Sequence, residues 1–116
     1  MVCGGRLYSD WATLDKMLGQ ANPTCVITGG ASGADNMAER WASEHSIRLD
    51  VYRADWKTHG RAAGPIRNQR MLDHGKPDMV LAFPGGRGTA DMVRRALAAG
   101  VQVCEVNADG TCGVSL

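Results

Sequence analysis

The chain has 116 residues, a formal net charge of +1, and 44% hydrophobic against 22% charged residues. That length suits one domain spanning residues 1–116, able to bury roughly 65% of its unfolded surface without disulfides or structural metal. The near-neutral charge excludes a global basic field for nonspecific DNA binding. No run reaches the ~20 apolar residues of a membrane helix and the start lacks the pattern of a secretory leader, so a cytoplasmic protein is expected.

In chain order, Val2-Cys3 is a short apolar strand that breaks at Gly4-Gly5-Arg6. Trp11, Leu14, Met17 and Leu18 then share one helical face, opened by Ser9 or Asp10 as N-cap. Residues 24–28 read as a buried strand that gives way to Gly29-Gly30-Ala31-Ser32-Gly33-Ala34-Asp35. Ala34, Met37, Ala38, Trp41 and Ala42 follow with the spacing of a core-facing helix. A third strand covers residues 49–52. Residues 54–64 read as a long loop, and a helix starts with Pro65 at its first position and runs to Gly75. This region holds Arg53, Lys57, Arg61, Arg67 and Arg70 against Asp55 alone, which points either to phosphate or to a solvated basic surface. Residues 79–83 form a fourth strand ending in Pro84-Gly85-Gly86-Arg87-Gly88-Thr89. A helical face of Met92, Val93, Ala96 and Leu97 follows, stopped by Gly100, before a fifth strand over residues 101–106.

Alternation of apolar strands with amphipathic helices predicts an α/β fold: one doubly wound parallel sheet of about five strands with helices on both faces. Right-handed crossovers give the expected order 3-2-1-4-5, with the ligand crevice between strands 1 and 4. The four cysteines, at positions 3, 25, 104 and 112, have no Cys-x-x-Cys spacing, and His45, His59 and His74 are scattered, so no metal site is expected. Cys3, Cys25 and Cys104 read as small hydrophobes of strands, and Cys112 as a free thiol.

The three glycine-rich turns carry the functional expectation. A strand-to-helix turn rich in glycine lets backbone amides approach a phosphate, with the helix dipole aimed at the same point. Three of them suggest convergence on one anionic ligand, a nucleotide. Gly85, Gly86, Gly88 and Thr89, following Pro84, form one cradle; the alternative is a tight turn with Thr89 as N-cap. Gly29, Gly30, Ser32 and Gly33 form a second, with Asp35 binding a ribose hydroxyl or capping free amides. Gly4, Gly5 and Arg6 border the crevice. Arg67 is suited to a bidentate phosphate clamp and Asn68 to reading an amide or base edge. Trp56 either stacks on a base or anchors its loop in the core. Asp91 meets the helix dipole or serves ribose binding or acid–base chemistry.

Together these residues resemble the SLOG superfamily, the Rossmann-like group named for the Smf/DprA and lonely-guy proteins, in its YspA-like branch. The resemblance runs in order through Cys3-Gly4-Gly5-Arg6, Gly29 to Asp35, Ala54-Asp55-Trp56, Gly64-Pro65-Ile66-Arg67-Asn68 and Phe83 to Met92. It implies nucleotide binding. Lonely-guy phosphoribohydrolases carry Pro-Gly-Gly-x-Gly-Thr-x-Glu, which would make Asp91 and Arg67 the catalytic pair, with Asp91 one methylene short of the family glutamate. A ~1 Å misplacement of that kind can cost ~10²-fold in rate. DprA proteins use a turn like the second one, and a segment like Arg67-Asn68-Gln69-Arg70, for single-stranded DNA.

The expected function is therefore a nucleotide-binding domain that senses or sequesters a nucleoside phosphate or an ADP-ribose/NAD-type ligand, with no cofactor required. Cleavage of nucleoside 5′-monophosphates is the alternative, and DNA binding the least expected. The resemblance to lonely-guy proteins also implies a homodimer.

Overall fold

In the computed structural model, which describes residues 1–115, four strands form a mostly parallel sheet in the order β1-β4-β5-β6. These are β1 (Val2–Cys3), β4 (Met79–Ala82), β5 (Gln102–Val106) and β6 (Cys112–Ser115), with β6 antiparallel to β5. β2 (Cys25–Thr28) and β3 (Arg48–Val51) pair in parallel as a separate two-stranded sheet. The expected continuous five-stranded sheet is thus corrected. β1 lies beside β2, but no ladder joins them, because a two-residue strand already paired to β4 offers little edge.

Alternation along each strand sorts the side chains into two cores. Val2, Val26, Leu81, Phe83 and Cys104 pack with Leu14, Met17 and Leu18 of α1 (Trp11–Ala21) and Ala38, Trp41 and Ala42 of α2 (Ala34–Glu44). Cys3, Ile27, Val80, Ala82 and Val103 pack with Met71 and Leu72 of α4 (Ala63–Gly75) and Met92 and Ala96 of α5 (Arg87–Ala98). Both cores draw on β2, through Val26 in the first and Ile27 in the second.

Local chemistry sets the ends. Asp10 caps α1 through the Thr13 amide at 3.1 Å. Gly100, at φ +75°, takes the left-handed position beyond α5 and donates to the Leu97 carbonyl. The segment expected as a loop is helical instead: α3 (Trp56–His59) is capped by Asp55, and a 3₁₀ turn over Gly60–Ala62 leads into α4. α4 consequently starts two residues before Pro65, which still sits in the first turn where a missing N–H is harmless.

The tail also differs from expectation. Asn107 to Thr111 forms a turn with Gly110 at φ +78°, and the chain returns as β6 along β5. Cys112 is therefore not a free thiol; it forms a disulfide with Cys104 on the neighbouring strand, Cα atoms 5.4 Å apart. Among the described residues, no helix is long and apolar enough to cross a membrane.

Candidate functional site

The turns after β1, β2 and β4 meet at the carboxyl ends of their strands, held together by their own backbones. The Gly5 amide donates to the Pro84 carbonyl (2.9 Å), and the Ala34 amide at the start of α2 donates to the Gly5 carbonyl (3.2 Å). Several glycines are there because of this closeness. A Cβ on Gly33, which has φ +74°, would strike the backbone of Gly5 and Arg6. One on Gly85 would meet the Gly5 amide nitrogen at 2.6 Å, and one on Gly4 the Phe83 Cβ at 2.9 Å. Gly33, Pro84 and Gly85, expected to touch a phosphate, line neither the cleft that opens over these turns nor the hollow adjoining it, and brace the turns against one another.

A cleft of about 820 Å³ opens over this junction. Gly4, Gly5, Arg6, Gly29, Asp35, Trp56, Arg67, Asn68, Gly86, Gly88, Thr89 and Asp91 all line it, so most of the expected site residues come together. The two remaining cradles differ in occupancy. In the second turn the amides of Gly29 (3.1 Å) and Ala31 (3.2 Å) both donate to Asp35 Oδ2, which occupies the place of an anion. In the third, α5 starts at Arg87 behind Gly86 with no side-chain cap, and its first intrahelical bond comes from the Ala90 amide. The amides of Arg87, Gly88 and Thr89 therefore face the cleft end of α5 without helical acceptors. Thr89 is not the N-cap; it lies in the first turn of the helix.

The cleft walls are predominantly cationic: Arg6, Arg61, Arg67, Arg87 and Arg94 against Asp35 and Asp91. Arg67 Nη1 donates to the Gly29 carbonyl (2.6 Å) and Nε to Asn68 Oδ1 (3.0 Å), fixing the guanidinium while leaving Nη2 for a ligand. Burial lowers the Arg67 pKa; Asp35 pulls it back up and the neighbouring charge of Arg6 lowers it further. Burial raises the Asp35 carboxyl to about 6, against the opposing pull of the Ala31 and Gly29 amides and of Arg67. Burial likewise pushes the Cys3 thiol up to about 12, with help from the charge of Asp35, so it is inert at neutral pH.

Asn68 is buried, and its amide is already engaged: Nδ2 donates to Asp91 Oδ2 (3.0 Å) and the Gly88 carbonyl (3.3 Å). It holds α4 to the first turn of α5 rather than presenting a free edge. Asp91 also accepts from Arg94 Nη2 (2.6 Å) and Arg95 Nε (2.9 Å). Burial pulls the Asp91 pKa upward, but the Asn68 and Arg95 hydrogen bonds and the charges of Arg95 and Arg94 outweigh it and hold the carboxyl below its usual value. Trp56 is 49% exposed at the mouth, with Arg6 5.9 Å from its ring, so it does not anchor the segment in the core.

A second hollow of about 390 Å³ adjoins the cleft across Arg6, Trp56 and Arg67. Gly30, Ser32 and Arg53 line it, and Arg53 Nη1 bonds the Gly30 carbonyl at 3.2 Å. Of the basic cluster seen in sequence, Arg61 and Arg67 reach the cleft and Arg53 the hollow, while Lys57 and Arg70 line neither. Arg87 and Arg94 escaped the sequence reading. Arg87 lies inside the third glycine turn and Arg94 three residues after Asp91, so their position on the first two turns of α5 was the available signal.

The sequence model of the YspA, cpYpsA-related SLOG family (YAcAr) matches residues 1–59, which include the first two turns and Trp56. The chain is also 36% identical over 115 residues to the Gene 61 protein of Mycobacterium phage D29, covering 89% of this chain and 91% of that protein. No solved structure matches. The family match covers just over half of the chain, including two of the three converging glycine turns: the chain belongs to the YspA, cpYpsA-related SLOG family.

Proposed function

We propose that the protein binds a nucleotide, a nucleoside phosphate or an ADP-ribose/NAD-type ligand, and acts as a sensing or sequestering module. The observation that carries this reading is the uncapped N-terminus of α5, whose free amides open into an arginine-lined cleft. A phosphate there gains the helix dipole, the Thr89 hydroxyl and the free edge of Arg67. Trp56 at the mouth offers a face for the base. The two sheets are then one Rossmann-like, doubly wound layer interrupted between β1 and β2, with the ligand in its crevice.

Binding without turnover is favoured over hydrolysis because Asp91, the carboxylate that a hydrolase would need, is ion-paired to Arg94 and Arg95 and bonded to Asn68. Calorimetric titration with AMP, ADP-ribose and NAD tests the reading. Saturable binding of at least one is expected, with no free base released from AMP. Silence across all three sinks it.

A further inference from the structure

We propose that the bound nucleotide carries a second phosphoryl group, seated in the arginine-lined hollow beside the cleft. This rests on the nucleotide reading above and adds to it the class of ligand, one phosphorylated at two places, as in a nucleoside 3′,5′-bisphosphate. The hollow is lined by Arg6, Arg53 and Arg67 and by no carboxylate. Asp35 and Asp91 line the cleft among its cations, whereas the lining of the hollow holds arginines alone as charged residues, and of these Asp35 acts on Arg67. Guanidinium groups gathered around one small volume repel each other, and an anion within it relieves that repulsion.

The second turn divides the two spaces. Its Gly29 and Ala31 amides are engaged by Asp35, whereas Gly30 and Ser32 line the hollow and not the cleft. Among the described residues, neither the Gly30 nor the Ser32 amide has a protein acceptor, and the Ser32 hydroxyl is unpartnered. Arg53 is steadied by one bond to the Gly30 carbonyl, leaving its other N–H groups for a ligand. Arg6, Trp56 and Arg67 border both spaces, so a ligand held at α5 reaches the hollow along them.

Titration of AMP, adenosine 3′,5′-bisphosphate and ADP-ribose into the wild-type chain, Arg53→Ala and Ser32→Asp tests this. Both substituted positions are exposed, so the fold is retained. Adenosine 3′,5′-bisphosphate, the one of the three phosphorylated at two places, is expected to bind tenfold or more tighter than AMP. Loss of that gain in either variant, with AMP affinity kept within twofold, supports the second seat. A gain below tenfold while AMP still binds overturns it, as does a gain that survives both variants. If AMP and both other ligands fail to bind, the nucleotide reading itself falls.

Discussion

Asp35 is 6% exposed, and both backbone amides that reach it share one oxygen, Oδ2. Burial nevertheless lifts its carboxyl from 3.8 to about 6. A carboxyl that holds its proton more tightly folded than unfolded adds stability below the unfolded value and loses it as pH rises through the folded one. The span corresponds to a contribution on the order of 2–3 kcal/mol. Asp35→Asn keeps an oxygen for the two amides and removes the titration. Between about pH 4 and pH 7.5 its stability relative to wild type should therefore improve by roughly 2 kcal/mol, read by urea unfolding at both pH values. An unchanged difference would place the titrating proton elsewhere. Trp56 makes the complementary case. Being half-exposed, it should tolerate Trp56→Ala with little loss of stability, while nucleotide affinity falls by about 5- to 100-fold in titration. Sequence offered Asp35 as a first-turn acid that binds a ribose hydroxyl or caps free amides, but not that those amides are Gly29 and Ala31 of the preceding turn, since loop curvature rather than spacing sets that contact.

At the scale of elements, glycines that look alike in sequence divide by what surrounds them. Gly33 has φ +74°, and its missing Cβ leaves room for the Gly5 and Arg6 backbone. Gly88 sits in the first turn of α5 with nothing within 4 Å of an added Cβ. Gly33→Ala should then cost roughly 3 kcal/mol or more, combining a left-handed backbone with a backbone collision. Gly88→Ala should raise stability by ~0.5–1 kcal/mol through helix propensity. Urea midpoints compare the two directly, and equal effects would mean that the turns are not wedged together. Asn68 joins α4 to α5 in the same region. Its replacement by alanine strands the Arg67 Nε and one Asp91 bond, for about 1–3 kcal/mol. The amphipathic faces of α1, α2 and α5 were legible because 3.6-residue periodicity marks them directly. α3 was not, because its four residues lack an apolar stripe and only the Asp55 cap signals it.

For the whole molecule, the alternation of strands and helices and the convergence of turns were readable, because buried runs and glycine clusters are local features. Sheet continuity was not, since strands buried on both faces carry no register signal and β1 has only two residues. β6 was readable in principle: Asp109-Gly110 is a hairpin pair, hidden by the short polar run around it. Charge behaves similarly. A net charge of +1 concealed a cleft where Arg6, Arg61, Arg67, Arg87 and Arg94 face Asp35 and Asp91, because chain distance spreads what the fold gathers. That gathering has a measurable consequence for nucleotide affinity. Attraction exerted by partly exposed guanidinium groups is screened within ~10 Å at ~0.1 M salt. Raising the salt from about 0.05 to 0.5 M should therefore weaken binding roughly tenfold. Ligand at about 100 times its dissociation constant should stabilise the fold by ~2.7 kcal/mol, a rise of about 10 °C in melting temperature. The two measurements separate causes: salt-sensitive binding with a thermal shift indicates an anion held among the arginines. A shift that ignores salt would instead trace the affinity to stacking on Trp56, and the phosphate seat at α5 would have to be abandoned.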